Sequence, residues 1–109
     1  MNPYSVNPAV WTDHEVIFND ANAEFSAVWG KFRGKFCLGT RWNGEIHERG
    51  YPGQGQYPLW FVEPDFLALS ILQRLYLEAM RRNLQNPSGQ LYCDKIAIAI
   101  DEFIELHYP

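Results

Sequence analysis

The first third of the chain carries apolar side chains at helical spacing. They are Ile17, Ala21, Phe25, Val28, Trp29 and Phe32. Thr12 and Glu15 have the spacing of a capping box before this stripe, and Gly34 is a suitable stop after it. The pattern therefore predicts a long N-terminal helix over about residues 13–32, preceded by an extended arm over residues 1–10 that contains two prolines.

Three polar residues interrupt this pattern. Asn19, Asp20 and Asn22 fall within four positions, and all three residue types favour turns over helix interiors. A strand over residues 15–19 followed by a shorter helix is therefore the alternative prediction for this part of the chain.

From Lys35 onwards the period changes to two, which is typical of a half-buried strand. One face carries Phe36, Leu38, Thr40 and Trp42. Asn43-Gly44 is a strong signal for a tight hairpin turn, so a second strand is expected over residues 45–49. A third strand is expected over residues 57–62, where both faces are apolar.

Two helices are predicted in the C-terminal half. Pro64 and Asp65 suit a helix start, and the apolar pattern continues to about Leu84 over an arc wider than the ~100° that one core needs. After a break near residues 83–89, a second helix is predicted over residues 90–107. Isoleucines at alternate positions also allow a strand within that segment.

Together these elements predict a single α+β domain over residues 1–109. Its core would be a small antiparallel three-stranded sheet, built from the hairpin at Asn43-Gly44 and the third strand 57–62. The sheet would pack against the long N-terminal helix and the two C-terminal helices. Because such a sheet has two open edges and the helix starting near Pro64 is widely apolar, we expect a homodimer.

Composition and charge narrow the possible partners. The net charge of -4 argues against nucleic acid, whose binding depends on clustered Lys and Arg. No apolar run approaches the ~20 residues of a membrane span, and the N-terminus lacks the features of a secretory signal. The sequence therefore predicts a soluble, cytoplasmic protein with no membrane or nucleic-acid partner.

Catalytic chemistry has little support in the sequence. Glu45 and His47 would share one face of the predicted second strand, where a carboxylate beside an imidazole could transfer protons. They are weak candidates, because exposed strand faces are usually polar. The histidines are scattered, and Cys37 and Cys93 have no CxxC partner, so we expect two buried thiols, no metal site and no cofactor.

Aromatic residues make up 16% of the chain, which is more ring surface than a small core absorbs. We expect Trp42, Tyr51, Tyr57 and Trp60 to wall a cleft beside the glycine- and proline-rich loop that precedes the third strand. The predicted function is a non-catalytic binding or interaction protein that takes a small apolar or cationic ligand or a protein segment. The alternatives are a small enzyme using Glu45 and His47, or an inhibitor or immunity-like partner of another protein.

Overall fold

The computed structural model describes residues 2–44, 50–54, 57–86 and 89–109, without the side chain of Tyr57. The chain forms two compact units, Met1–Glu63 and Pro64–Pro109. The first unit contains the strands and the second the two long helices, so the α+β class is confirmed. The expectation of a single domain stays a prediction.

The strands are β1 (Trp11–Asp20), β2 (Phe25–Phe32), β3 (Lys35–Trp42), β4 (Gly53–Gln54), β5 (Tyr57–Pro58) and β6 (Phe61–Val62). The helices are a 3-10 turn (Pro3–Ser5), α1 (Asp65–Asn83) and α2 (Gly89–His107). One antiparallel sheet has four strands in the order β1-β2-β3-β6, and β4 pairs with β5 in a separate two-stranded sheet.

The predicted N-terminal helix over residues 13–32 is wrong, because this segment forms the β1–β2 hairpin. Asp20 ends β1: its Oδ1 accepts hydrogen bonds from the amides of Asn22 and Ala23 at 3.0 and 3.1 Å. This side chain therefore closes a turn where a helix would have continued. The alternative strand over residues 15–19 is correct, whereas the shorter helix proposed to follow it is β2.

The predicted three-stranded sheet is also wrong, because the described sheet has four strands. Arg33 and Gly34 form a two-residue turn between β2 and β3, and both have positive φ, at 52° and 85°. These angles suit a type I′ hairpin turn, which matches the twist of the flanking strands. Gly34 therefore turns a hairpin and does not end a helix.

Other sequence predictions have mixed outcomes. The predicted strand over residues 45–49 lies outside the described residues. The predicted strand over residues 57–62 forms two short pieces, β5 and β6, with a break between them. The N-terminal arm is not fully extended: the Asn2 side chain caps the 3-10 turn by accepting from the Tyr4 amide at 3.0 Å.

The β1–β2 pair contains a bulge that requires a glycine at position 30. Asp13 has a φ of 49°, and the register shifts between Thr12 and Glu15. The bulged strand brings His14 so close that a Cβ on Gly30 would lie 2.2 Å from the Cβ of His14. Only glycine fits there without displacing backbone.

Both faces of the four-stranded sheet are largely buried. One face carries a core of Val6, Trp11, Val16, Val28, Cys37 and Trp60. The opposite face buries Phe18, Ala27, Trp29 and Leu38. The prediction that β3 is only half buried is therefore wrong, since residues on both of its faces lie inside.

The two C-terminal helices are confirmed, and α2 leaves no room for a strand in its segment. They contact one another, and their buried residues are Ala68, Leu72, Leu75, Ala79, Cys93, Ile96, Ala99 and Phe103. On its outer side α1 holds an ion-pair group in which Glu78 contacts Arg74 and Arg81, each at 2.9 Å. Its last turn is basic and its first turn carries Asp65, as the helix dipole favours.

Candidate functional site

Trp42 and Tyr51 lie side by side on the sheet. Trp42 is the last residue of β3, and its backbone exchanges two hydrogen bonds of 2.7 Å with the backbone of Tyr51. Residues paired in this antiparallel manner lie directly opposite each other and project their side chains to the same face. The two rings are therefore neighbours on a rigid backbone.

Two phenylalanines extend this pair into a larger surface. Phe25 lies opposite Trp42 across β2 and β3, and the two ring centroids are 5.1 Å apart in an edge-to-face arrangement. Phe61 lies opposite Thr40, two residues before Trp42 on the same strand. Side chains two residues apart share a face. We call the surface formed by Phe25, Trp42, Tyr51 and Phe61 the aromatic patch.

The aromatic patch is open to solvent. Tyr51 is 68% exposed, Trp42 55% and Phe61 50%, while Phe25 is half-buried. The other three tryptophans of the chain are buried, so Trp42 is the exposed indole of this protein. A contiguous group of exposed rings is unusual on a small protein and is a common feature of contact surfaces.

The structure separates the four residues that the sequence grouped into a cleft. Trp42 and Tyr51 are brought together, whereas Trp60 is 5% exposed and lies in the core on the opposite face. The Trp60 indole Nε1 donates a 3.0 Å hydrogen bond to the carbonyl oxygen of Val6. Tyr57 belongs to β5, and its side chain is outside the described set.

Sequence reasoning missed Phe25 and Phe61. The sequence pattern predicts a helix at Phe25, so it does not indicate that Phe25 pairs with Trp42 through β2 and β3. The alternation of residues 57–62 did place Phe61 on the face opposite Trp60. That signal was available but did not indicate which face was open.

Acidic side chains border the aromatic patch. Asp20 and Glu24 flank the turn that leads into Phe25, and Asp20 lies opposite Phe25 in the register. Glu63 follows β6, and its Oε1 accepts a 2.8 Å hydrogen bond from the hydroxyl of Thr40. Of the basic residues in β2, β3 and their turn, Lys31, Arg33 and Lys35 lie at the other end of the sheet, and Arg41 is buried on the opposite face.

Arg41 anchors the chain segment on the far side of the sheet. It is 1% exposed, and its Nη1 donates hydrogen bonds to the carbonyl oxygens of Leu59 and Pro52, the latter at 3.4 Å. Its guanidinium carbon lies 5.8 Å from the centre of the Trp60 ring. Burial lowers the pKa of Arg41 to about 10. Arg41 therefore holds the backbone at Pro52 and at Leu59 against the sheet.

A buried polar group fixes the strand ends beside the aromatic patch. The hydroxyl of Ser26 donates to Asn43 Oδ1 at 2.7 Å, and Asn43 Nδ2 donates to Asn19 Oδ1 at 3.3 Å. The Asn43 amide also donates to the carbonyl oxygen of Glu24. These bonds connect the ends of β1, β2 and β3, so the backbone that carries Phe25 and Trp42 is held firmly.

The described residues do not include the predicted catalytic pair. Glu45 and His47 lie outside the described residues. In the part of the chain that the structure describes, no group of three or more His, Cys, Asp or Glu side chains is placed to hold a metal ion. Cys37 and Cys93 are buried free thiols, as the sequence predicts.

No described helix is both long and apolar enough to cross a membrane. No protein-family model, no curated protein and no solved structure matches this chain.

Proposed function

We propose that this protein is a small non-catalytic binding protein and that the aromatic patch is its contact surface. The observation that carries the proposal is the pair of exposed rings, Trp42 and Tyr51, held side by side by two backbone hydrogen bonds. The surface differs from the cleft expected from the sequence, because it is formed on one face of the sheet and does not include Trp60.

Exposed rings favour binding because covering apolar surface removes it from water. Each Å² of apolar surface that a partner covers contributes roughly 25 cal/mol to binding. Trp and Tyr are also the side chains most enriched among the residues that dominate binding energies. Since the backbone of the patch is already fixed by Asn43 and its neighbours, little ordering entropy is lost when a partner binds.

A selection from a phage-displayed random dodecapeptide library tests this proposal. We expect enriched peptides to bind the wild-type protein and to lose about 10-fold or more in affinity for the double variant Trp42→Ala/Tyr51→Ala. The matched control is Tyr4→Ala/Tyr108→Ala, which removes two rings of similar exposure that lie outside the patch and outside α1. Peptides that bind the patch variant as well as the wild type, or no enrichment at all, would contradict the proposal.

The proposal includes a homodimer formed through α1. Four exposed apolar residues of α1 and its C-terminal cap lie along one stripe: Phe66, Leu77, Met80 and Leu84. With Ser70 and Gln73 they complete a line of positions separated alternately by four and three residues, which is the spacing of a helix–helix seam. In an antiparallel pair, Phe66 would face Leu84 and Ser70 would face Met80, so that small and large side chains alternate across the contact.

Sedimentation equilibrium measures this dimer. The wild type is expected to be dimeric at about 100 μM, a concentration that populates even weak complexes. Leu77→Glu would place a charge in the middle of the seam and should give a monomer. Leu67→Glu is the control, because Leu67 is exposed on α1 but lies off the seam. A monomeric wild type, or equal effects of both variants, would refute the dimer.

The enzyme that would use Glu45 and His47 and the inhibitor or immunity-like protein remain alternatives. No described contact, distance or charge favours either of them over the binding protein.

A further inference from the structure

We infer that the aromatic patch binds arginine-bearing segments of a partner protein. This inference rests on the proposed function and adds to it the chemical class of the partner. It follows from the distribution of cations and acids over the two ends of the four-stranded sheet.

The far end of the sheet places half-buried rings beside cations. The Lys31 ammonium lies 5.3 Å from the centre of the Phe36 ring, and the Arg33 guanidinium carbon lies 5.3 Å from the centre of the Phe32 ring. A cation over a ring face is attracted by the negative potential of the ring. At that end, the chain itself supplies the cations.

Acids border the aromatic patch, whereas the far end carries Lys31, Arg33 and Lys35 together with Asp13, whose Oδ2 lies 3.4 Å from the Lys31 ammonium. Glu24 adjoins Phe25, and Glu63 lies two residues after Phe61. Among the described residues the cations recorded over rings are Lys31, Arg33 and Arg41, and none of these lies over the patch. Arg41 is the nearest of them in sequence, but it is buried on the opposite face and its Nη1 donates to two carbonyls.

Charge and ring faces therefore both favour a positive partner at the patch. The segment that joins Trp42 to Tyr51 adds two glutamates and one arginine by sequence, which does not reverse the acidic balance. The charge of the whole chain, -4, acts in the same direction over longer distances.

The openness of the patch favours a protein segment over a small molecule. Small ligands bind in concave sites that cover most of their surface, whereas three of the four rings here are at least half exposed. A planar guanidinium stacks on an open ring and is weakly hydrated, so it loses less than an ammonium when it leaves water. Arginine is accordingly the side chain that fits best.

Binding of a capped Gly-Arg repeat peptide tests the inference, with the same peptide carrying citrulline in place of arginine as the control. Citrulline keeps the shape of the side chain and removes its charge. We expect the arginine peptide to shield Trp42 from acrylamide quenching and to bind more tightly than the citrulline peptide in calorimetry. The difference should shrink as salt is raised, because exposed charges are screened.

Variants locate the binding site. Tyr51→Ala and Phe61→Ala should each weaken the arginine peptide about 2- to 5-fold, the range expected for one exposed cation–ring contact. Glu24→Gln should weaken it in the same direction, whereas Tyr108→Ala in the helical unit should leave it unchanged. The patch variants keep Trp42, so the fluorescence signal remains available.

The outcomes separate the inference from the proposed function. If the citrulline peptide binds as well as the arginine peptide and both respond to Tyr51→Ala, the cation preference is wrong and the binding surface stands. If the arginine peptide binds equally to the wild type, Tyr51→Ala and Phe61→Ala, its site lies elsewhere and the inference is overturned. The phage selection then decides whether the patch binds anything.

Discussion

The two ends of the four-stranded sheet carry the same kinds of side chain but arrange them differently. At the β2–β3 turn, Phe32 and Phe36 lie beside Arg33 and Lys31, whose cationic groups are 5.3 Å from the ring centres. At the opposite end, the four rings of the aromatic patch are bordered by acids and largely open to solvent. The first end contains its own cations, whereas no cation among the described residues lies over the rings of the second.

The two ends therefore differ both in ring exposure and in the charge beside the rings. What distinguishes the aromatic patch is the combination of a fixed backbone, open ring faces and neighbours of one charge. The following predictions test that distinction, beginning with the largest expected effect.

Trp60→Ala and Trp42→Ala should differ strongly in their effect on the free energy of unfolding. Trp60 is buried and hydrogen-bonded to Val6, so its loss should cost about 3–5 kcal/mol. Trp42 is more than half exposed, and its replacement should cost less than about 1.5 kcal/mol, including its edge-to-face contact with Phe25. Urea unfolding of both variants measures the difference; equal losses would mean that Trp42 belongs to the core.

Arg41→Met should destabilise the protein by about 1–3 kcal/mol, because the carbonyl oxygens of Leu59 and Pro52 lose a buried donor. The effect should be largest in the segment that Arg41 holds. Hydrogen exchange measures it at the amide of Leu59, which donates to Pro52 in the native fold. Unchanged exchange at Leu59 would show that Arg41 does not anchor this segment.

Glu24→Arg should place a cation beside the aromatic patch, as Arg33 does beside Phe32 at the β2–β3 turn. Glu24 has a φ of 54° and precedes Phe25, much as Arg33, with a φ of 52°, follows Phe32. An arginine there would offer its own cation to the patch, and the arginine peptide should bind about 2- to 5-fold more weakly. Calorimetry compares this variant with Arg33→Glu at the far end, which should not weaken binding.

The smallest expected effect on stability concerns Glu78, which forms the ion-pair group of α1 with Arg74 and Arg81. Hydrogen bonding to Arg81 lowers the pKa of Glu78 below its ordinary value of 4.5. Because the folded pKa is the lower one, the stabilisation is present above pH 4.5 and is lost as the pH falls through the folded pKa. Glu78→Gln should therefore be slightly less stable than the wild type at pH 7 and equally stable at low pH. Thermal unfolding across pH measures this change.

The sequence predicted the helical unit well because its signals agree. Pro64 and Asp65 start α1, and the apolar period continues without a turn residue until the helix ends. In residues 13–32 the signals conflict: the capping-box spacing and the apolar stripe favour a helix, while Asp20 and its neighbours favour a turn. The turn prevails because the Asp20 side chain satisfies two backbone amides at once.

The candidate site was only partly predictable for a related reason. A tight turn at Asn43-Gly44 would place Glu45 opposite Trp42, whereas the structure places Tyr51 there, so the hairpin signal predicted the wrong partner for Trp42. Phe25 joins them through the pairing of β2 with β3, and Trp60 leaves them because the Arg41 anchor and the bond to Val6 turn it into the core. Such long-range contacts are not contained in any local pattern.

Quenching of tryptophan fluorescence tests the central claim most directly, because Trp42 is the exposed tryptophan among four. We predict that acrylamide quenches one accessible class of emission and that Trp42→Phe removes this class. We also predict that caesium quenches it more than iodide does at low salt, when each is scaled to its quenching of free N-acetyltryptophanamide. If quenchable emission persists in Trp42→Phe, or if the scaled iodide quenching of Trp42 equals that of caesium, then the aromatic patch is not the open, acidic surface described above.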